Sequence, residues 1–171
     1  MDKRILFKTV HGSRLYGLAH ENSDEDFYTV LDKVKTKKAK YAKQSITDDE
    51  DSMVVDFGTW VNMCVNGVPQ ALEAMFSTMV LYDDLADFRA GFRAGTGVYE
   101  RYLRTIKSFA LAEDATIKKR RHSLRLALNL NEMSKTGRFN PTLSAEDADY
   151  ITRMAHKSHD DVYGLALSIA W

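Results

Sequence analysis

The sequence predicts an α+β fold, with a small mixed sheet in the first part of the chain and a helical half after it. Short runs of β-branched and aromatic residues alternate with polar clusters before residue 57. After that residue, apolar side chains recur every three or four positions, which is typical of helices with one buried face. The chain has only two prolines, which favours long helices. We expect a sheet core over residues 1–66 and a helical region over residues 67–171, packed on it or continuous with it.

Three short strands are expected, each a run of apolar residues between polar clusters. Their apolar residues are Ile5, Phe7 and Val10; Phe27, Tyr28, Val30 and Leu31; and Met53, Val54, Val55 and Phe57. Helical spacing then predicts apolar faces over residues 57–65, 72–79, 98–109, 117–133, 151–154 and 162–169. Pro69 suits a first helical turn, Gly137 a helix end, and Ser144 with Asp147 a helix N-terminus.

Composition places the chain among globular proteins. Apolar residues make up 44% of it and aromatic residues 11%, enough for a core and too much for a disordered chain. Lys+Arg and Asp+Glu number 24 each, and this balance argues against a general nucleic-acid coat or a membrane-surface helix. Cys64 is the one cysteine, which excludes a disulfide framework and a cysteine-built zinc site. Neither a signal-peptide core nor an apolar run of roughly 20 residues is present, so we expect a cytoplasmic protein.

A basic segment interrupts the predicted sheet. The segment from Lys33 to Lys43 contains six lysines, and an acidic run follows at residues 48–51. We interpret it as a solvated loop between two strands. The other interpretation is an arm that follows the phosphates of a nucleic-acid acceptor, but a net charge of zero removes the long-range field that usually accompanies such binding.

The first strand continues directly into Gly12 and Ser13, which open a short helical stretch. Glycine lets the backbone approach an anion closely, the free N–H groups at a helix start point towards it, and Ser13 adds a hydroxyl donor. The pair therefore predicts a phosphate cradle. Taken alone, the two residues are better explained by an ordinary helix N-cap.

Two aspartates, Asp24 and Asp26, begin the second strand. Residues two apart face the same side of a strand, so the two carboxylates would lie together. Like charges held together favour a bound cation, and oxygen ligands suit Mg²⁺ or Mn²⁺, although a solvated acidic turn is the simpler alternative. Asp56 ends the third strand inside an apolar run. If the third strand pairs beside the second, we expect Asp56 to reach the aspartate pair.

Together these residues resemble the signature of the DNA polymerase β-type nucleotidyltransferase superfamily, in particular its small bacterial and phage branch. The resemblance begins with Gly12, Ser13 and Gly17, followed by Ser23-Asp24-x-Asp26. Later parts of the pattern are an acid on the next strand, a Gly-x-Pro-x-x-x-Glu helix start, a basic helix with His and Arg three apart, and Gly-Arg-Phe-Asn-Pro. The residues matching these parts are Asp56; Gly67, Pro69 and Glu73; His122 and Arg125; and Gly137 to Pro141. The resemblance extends from residue 5 to about 143, and the residues after it carry no motif.

The resemblance implies a sheet of the nucleotidyltransferase type and a metal-dependent transfer of NMP from an NTP, such as ATP, to a hydroxyl. It implies that Asp24 and Asp26 hold metals that bridge the triphosphate, and that Asp56 binds the metal at the acceptor hydroxyl. The implied cofactor is Mg²⁺ or Mn²⁺. The implied phosphate ligands near the aspartates are Gly12, Ser13 and Ser23.

A basic stripe is expected on one face of the fourth helix, where Lys118, Arg121, His122 and Arg125 share helical spacing. A solvated stripe and a set of triphosphate contacts closing over the cleft are both open interpretations, the latter because arginine matches phosphate with a bidentate fork. Glu73 either caps or pairs near the start of its helix, or it reaches the cleft.

We therefore expect an enzyme that binds an NTP and an acceptor of open class: a nucleic acid, a protein or a small molecule. No membrane partner is expected. The alternative is a non-catalytic nucleotide- or RNA-binding module of the same fold that acts through a protein partner, and the three carboxylates favour the enzyme. A third interpretation is a helical interaction protein with an acidic turn. The motifs leave the base, the pathway and the oligomeric state open, because every NTP has the same triphosphate.

Overall fold

The computed structural model describes residues 4–33, 42–46 and 50–171. Within these ranges, five strands form one mixed sheet in the order β3-β4-β2-β1-β5. The strands are β1 (Ile5–His11), β2 (Glu25–Leu31), β3 (Ala42–Ile46), β4 (Glu50–Asp56) and β5 (Val80–Asp83). Strand β1 pairs antiparallel with β2 and β5, β3 pairs antiparallel with β4, and β2 and β4 are parallel. The starts of β2 and β4 therefore lie at the same edge of the sheet.

A short helix follows β1, and the other helices follow β4. They are α1 (Gly12–Tyr16), α2 (Phe57–Val65), α3 (Pro69–Phe76), α4 (Ala86–Gly91), α5 (Gly97–Leu111), α6 (Ile117–Thr136), α7 (Ala145–Met154) and α8 (His159–Ala170). Helices α5, α6 and α8 pack against one another. The predicted α+β class, a small mixed sheet followed by a helical half, is confirmed.

Side chains at the helix ends explain where the longer helices begin and stop. The Thr116 hydroxyl accepts a hydrogen bond from the Lys119 N–H at the start of α6, and Gly137 ends this helix with a φ of 74°. The predicted capping of α7 is confirmed, because the Ser144 hydroxyl accepts from the Asp147 N–H at 3.0 Å. Each such cap satisfies a backbone donor that the helix itself leaves without a partner.

The core joins the sheet to the helices. Phe7 on β1 stacks on Trp60 of α2 with ring centroids 5.5 Å apart, and both side chains are fully buried. Helix α3 lies deepest, since every residue from 71 to 76 is buried, including the carboxylate of Glu73. A buried charge requires partners, so the surroundings of Glu73 become part of the functional question.

Several elements differ from the sequence-based expectation. Strands β3 and β5 and helix α4 were not predicted, because each is short and carries few apolar residues at regular spacing. Phe57 begins α2 instead of ending a strand, and Met79 lies beyond the end of α3. Lys43 belongs to β3, so the loop interpretation is wrong there; the other lysines of the segment, apart from the exposed Lys33, lie outside the described residues. The proposed division at residue 66 stays a prediction, although β5 joins the sheet from beyond it.

In the part of the chain that the structure describes, no helix combines the length and the apolar character needed to cross a membrane.

Candidate active site

A cavity of about 790 Å³ opens between the β1–α1–β2 segment and helices α3, α5 and α6. Its walls include every predicted site residue except Asp56. These residues are Gly12, Ser13, Ser23, Asp24, Asp26, Lys118, Arg121, His122 and Arg125. The structure thus brings the aspartate pair and the basic face of α6 to one cavity, although they are about 100 residues apart in the chain.

The contact between Gly12 and Asp26 fixes the acidic side of the cavity. His11, the last residue of β1, pairs with Asp26 across the β1–β2 ladder. Gly12 follows with a φ of +64°, a conformation that side-chain-bearing residues rarely adopt. A Cβ at Gly12 would lie 1.8 Å from the Asp26 Oδ2 atom, well inside contact distance. Glycine is therefore required here because the carboxylate of Asp26 occupies the space of a side chain.

The turn before β2 is held by Arg14. Its Nη2 atom donates to the Ser23 carbonyl oxygen at 2.8 Å, and its Nε atom donates to the Asp24 carbonyl oxygen at 3.3 Å. The Ser23 hydroxyl oxygen accepts from the His20 N–H at 2.8 Å, which leaves the hydroxyl proton for another acceptor. These bonds hold the turn so that Asp24 is exposed at the cavity edge and Asp26 is half-buried within it.

The structure places Asp56 far from the aspartate pair, which corrects the expectation that it would join them. Strand β4 does lie beside β2, but in this parallel pairing Asp56 is opposite Leu31, five residues beyond Asp26. That separation is roughly 16 Å at the usual rise of a strand. Asp56 instead caps α2, where its carboxylate accepts from the Thr59 N–H at 3.0 Å and from the Thr59 hydroxyl at 2.7 Å.

The same register places a different aspartate next to the pair. Asp51 is opposite Asp26 in the β2–β4 ladder, and each is the second residue of its strand. Asp51 was not predicted as a site residue, because residues 48–51 were interpreted as a solvated acidic run. Two strands that both begin with an acidic cluster were the signal, since parallel pairing aligns strand starts.

A buried ionic cluster forms the floor of the cavity around Glu73. Arg125 Nη1 lies 2.6 Å from Glu73 Oε1, and the Tyr16 hydroxyl donates a short hydrogen bond to Oε2. His11 Nε2 lies 3.3 Å from Oε2, within ion-pair distance but without hydrogen-bond geometry. The Arg125 guanidinium also stacks on the Tyr16 ring at 3.8 Å. Burial alone would raise the pKa of Glu73, but Arg125, His11 and Tyr16 outweigh it and hold that pKa below its usual value.

This cluster decides between the open interpretations for Glu73 and limits those for Arg125. Glu73 pairs with Arg125 at the wall of the cavity instead of capping its own helix. Arg125 is almost fully buried, and it uses one donor on Glu73 and another on His122 Nδ1 at 3.3 Å. A direct contact of Arg125 with phosphate stays a prediction, whereas its role in fixing His122 is visible in the structure.

His122 is held in its neutral form. Burial and the positive charge of Arg125 lower its pKa to about 3. Because Nδ1 accepts from Arg125, the proton of the neutral ring lies on Nε2. His122 therefore brings a neutral N–H donor to the wall of the cavity that also carries the cations Lys118 and Arg121.

The buried neutral imidazole predicts a specific pH dependence of stability. The unfolded state takes up a proton on His122 below about pH 6.5, whereas the folded state resists it down to about pH 3. We therefore expect the free energy of unfolding to fall by about 1.4 kcal/mol per pH unit as the pH is lowered between these values. Urea unfolding at pH 7, 6 and 5 measures this slope.

Two variants distinguish the contribution of His122 to this pH dependence from the contributions of other groups that bind protons at low pH. His122→Gln should remove most of the slope between pH 6.5 and 5, whereas His156→Gln, at an exposed position, should retain it. Glu73 contributes only at lower pH, since a carboxylate with a lowered pKa loses its stabilising effect below its unfolded value of 4.5. Equal slopes in the two variants would contradict the assignment.

The remaining cations at the cavity, Lys118 and Arg121, have no carboxylate partner in the described ranges 4–33, 42–46 and 50–171. The Nε atom of Arg121 is buried without a hydrogen-bond partner. Burial and the neighbouring Arg125 lower the pKa of Arg121. Such donors suit an anionic ligand, since no carboxylate among the described residues neutralises them.

Among the described residues, no group of three or more His, Cys, Asp and Glu side chains is placed to hold a metal ion. Two carboxylates, Asp24 and Asp26, border the cavity, and Mg²⁺ is often held by one or two carboxylates together with substrate phosphates. Hard oxygen donors on one wall and unpaired cations on the other therefore fit a ligand that carries phosphates and a divalent ion.

Carboxylates and cations without a carboxylate partner among the described residues line one cavity, an arrangement that suits a ligand carrying phosphates. The family model of the RNA repair pathway DNA polymerase beta family, RlaP, matches residues 1–159, and the chain belongs to this family. The resemblance to the DNA polymerase β superfamily is thereby confirmed.

The chain is also similar to a crystal structure of a nucleotidyltransferase-like protein from Exiguobacterium sibiricum 255-15. The sequence identity is 12%, the match covers 98% of this chain and 67% of that chain, and the TM-score is 0.37. No curated protein matches the chain.

Proposed function

We propose that the protein is a metal-dependent nucleotidyltransferase that moves NMP from an NTP to a hydroxyl acceptor. The observation that carries the proposal is the close contact of Gly12 with Asp26, in which the carboxylate of Asp26 occupies the place of a side chain at residue 12. The cavity at this contact is also lined by the cations of α6. The φ of +64° alone favours glycine, and the position of the Asp26 carboxylate adds a second requirement for the absence of a side chain at the cavity. Membership of the RlaP family supports the same reaction class.

In this reaction the acceptor hydroxyl oxygen bonds to the α-phosphorus of the NTP, the bond to the β-phosphate oxygen breaks, and pyrophosphate leaves with the electron pair. The hydroxyl proton passes to water. Asp24 and Asp26 would hold Mg²⁺ or Mn²⁺, and the bound ion would neutralise the triphosphate and lower the pKa of the acceptor hydroxyl. The rate then depends mainly on position and charge, as is general for phosphoryl chemistry.

The other residues of the cavity act on the phosphates. The Ser13 and Ser23 hydroxyls are hydrogen-bond donors on the acidic side, and Gly12 allows close approach of the backbone. Lys118 and Arg121 supply unpaired positive charge, and neutral His122 donates from Nε2. Arg125, paired with Glu73, orients His122 by its bond to Nδ1 and contacts phosphate with the donors that remain. This division gives each side of the triphosphate a distinct set of partners.

The third carboxylate is assigned to Asp51. The family resemblance requires an acid on the strand next to Asp26, and the register of β2 and β4 supports Asp51 in that position. Asp56, which caps α2, is left with a structural role.

The test compares thermal stability with each NTP, with and without Mg²⁺ or Mn²⁺, in four variants and the wild type. Nucleotide at about 100 times Kd adds about 2.7 kcal/mol of stability, which raises Tm by roughly 5–10 °C in a domain of this size. We expect Asp24→Asn, Asp26→Asn and Asp51→Ala to lose the metal-dependent shift and the transfer of labelled NMP. The matched Asp56→Ala should keep both while costing about 1 kcal/mol of stability for the lost cap.

The outcomes separate the alternatives. A metal-dependent shift that survives Asp24→Asn and Asp26→Asn would overturn the proposal. A shift lost in Asp56→Ala and kept in Asp51→Ala would return the third role to Asp56. Nucleotide binding without transfer to any acceptor would favour the non-catalytic binding module.

A further inference from the structure

Helix α5 lines a second, smaller opening beside the main cavity. A second opening of about 300 Å³ is lined by Arg101, Arg104, Thr105 and Ser108, all on this helix. Arg101 and Thr105 also line the main cavity. We refer to these four residues as the α5 strip. At 1.5 Å per residue, the strip extends roughly 10 Å along the helix axis, beside the main cavity.

No carboxylate in the described part of the chain pairs with the positive charge of the strip. Arg101 and Arg104 are exposed, and neither side chain has a hydrogen bond or an ion pair within the described residues. Glu100 lies on the same helix, but it forms no ion pair with Arg104 at the (i, i+4) spacing. In contrast, Arg4 and Arg153 each hold an aspartate even at exposed positions. Arg101 and Arg104 thus leave positive charge available at the second opening, beside the cavity.

An aromatic ring lies on the same face of the helix. Phe109 is four residues beyond Thr105 and eight beyond Arg101, a spacing that aligns all three along α5. Its side chain is half-buried and lines the main cavity. Cations that follow a sugar–phosphate backbone, together with an aromatic ring on which a base stacks, are the usual elements of sites for single-stranded nucleic acid.

We propose that the α5 strip binds the phosphates of a single-stranded nucleic acid whose end enters the main cavity, so that the acceptor hydroxyl belongs to a nucleic acid. The two guanidinium groups pair with phosphate oxygens, and the Ser108 hydroxyl donates to the same backbone. The Thr105 hydroxyl already donates to the Arg101 carbonyl oxygen at 3.0 Å, so Thr105 contributes only to the shape of the opening. An acidic protein segment would also meet the positive charge, but it would not use the ring of Phe109 beside it. The acceptor role depends on the proposed function, whereas binding of the strand does not.

The test uses Arg104→Gln with Lys107→Gln as its matched control. Both variants remove one exposed positive charge from α5, but Lys107 lines neither opening. Binding of a labelled 12-nucleotide single strand, in ribose and deoxyribose forms, is followed by fluorescence anisotropy at several salt concentrations. We expect Arg104→Gln to raise Kd about tenfold and to reduce the slope of log K against log salt by about 0.7, the value of one phosphate contact on a single strand. Lys107→Gln should retain the wild-type slope.

Nucleotide binding separates this inference from the proposed function, because Arg104 does not line the main cavity. A metal-dependent NTP shift that is kept in Arg104→Gln, together with the loss of strand binding, supports both. If Arg104→Gln weakens strand binding but the wild type shows no metal-dependent rise in Tm with any NTP, nucleic-acid binding by the α5 strip is supported and the proposed function is overturned. Equal weakening by the two variants, absence of strand binding by the wild type, or preference for a polyglutamate peptide would overturn the nucleic-acid inference.

Discussion

Glu73→Ala is expected to lower the free energy of unfolding by about 3–5 kcal/mol, the usual cost of breaking a buried ion pair. The carboxylate is fully buried, and the side chain of its partner Arg125 is only 5% exposed. Removing the acid leaves a guanidinium without a counter-charge in a low-dielectric site and leaves the Tyr16 hydroxyl without its acceptor. Urea denaturation at pH 7 measures the change.

Two comparisons show whether the charge is responsible. Asp149→Ala breaks the ion pair between Asp149 and Arg153, whose side chains are 68% and 62% exposed, respectively. This loss should lower the free energy of unfolding by no more than about 1 kcal/mol. The double variant Glu73→Leu/Arg125→Met removes both buried charges, and we expect it to regain most of the stability. A loss below 1 kcal/mol for Glu73→Ala, or a double variant less stable than either single one, would contradict this account.

The cluster also links stability to the site. Arg125 stands between Glu73 and His122, so the double variant should fold while failing to fix the imidazole. Nucleotide affinity should then fall even though stability recovers. A buried ion pair that is expensive to desolvate is better explained by its effect on the orientation of His122 than by any net gain in stability.

The sequence could predict those parts of the site that are local in the chain. Gly12, Ser13, Asp24 and Asp26 lie within fifteen residues, and the consecutive elements β1, α1 and β2 with the turn before β2 bring them together. Helix α7 was equally predictable, because Ser144 caps it through a bond that spans three residues.

Parts that depend on register or on tertiary packing were not predictable in this way. The choice between Asp51 and Asp56 depends on the direction in which β4 pairs with β2, and a single apolar run is compatible with either end lying at the site. The pairing of Glu73 with Arg125 joins residues 52 positions apart, on helices that meet only in the folded protein. Hydrophobic spacing identifies the buried face of each helix but does not identify the helix against which that face packs.

Gly12→Ala is expected to abolish metal-dependent nucleotide binding, although it adds only one methyl group. Its Cβ would lie 1.8 Å from Asp26 Oδ2, 2.7 Å from Cγ and 2.9 Å from Cβ of the same side chain. No rotation of the added methyl group can avoid these contacts, so the Asp26 carboxylate must leave its position. The positive φ of +64° adds a cost of about 1–2 kcal/mol for a residue with a side chain.

Gly17→Ala provides the matched control for the backbone cost. Gly17 also has a positive φ, +74°, but the nearest atom to its added Cβ is the Leu143 carbonyl oxygen at 3.4 Å, an ordinary contact. Gly17→Ala should therefore lose about 1–2 kcal/mol of stability in urea denaturation, and Gly12→Ala should lose at least as much, because the displacement of Asp26 is added to the same backbone cost. Only Gly12→Ala should lose the Mg²⁺-dependent rise in Tm with NTP, because only there does the methyl group displace a metal-binding carboxylate.

The comparison separates the close approach from the conformational role of glycine. If both variants keep the nucleotide-dependent shift, Asp26 is not needed at its position and the metal site lies elsewhere. If both lose it, the effect comes from the helix between them and not from the carboxylate. We expect the nucleotide-dependent rise in Tm to be lost in Gly12→Ala and in Asp26→Asn but kept in Gly17→Ala. That result would show that Gly12 is needed because the Asp26 carboxylate lies where a side chain would be, beside the phosphates.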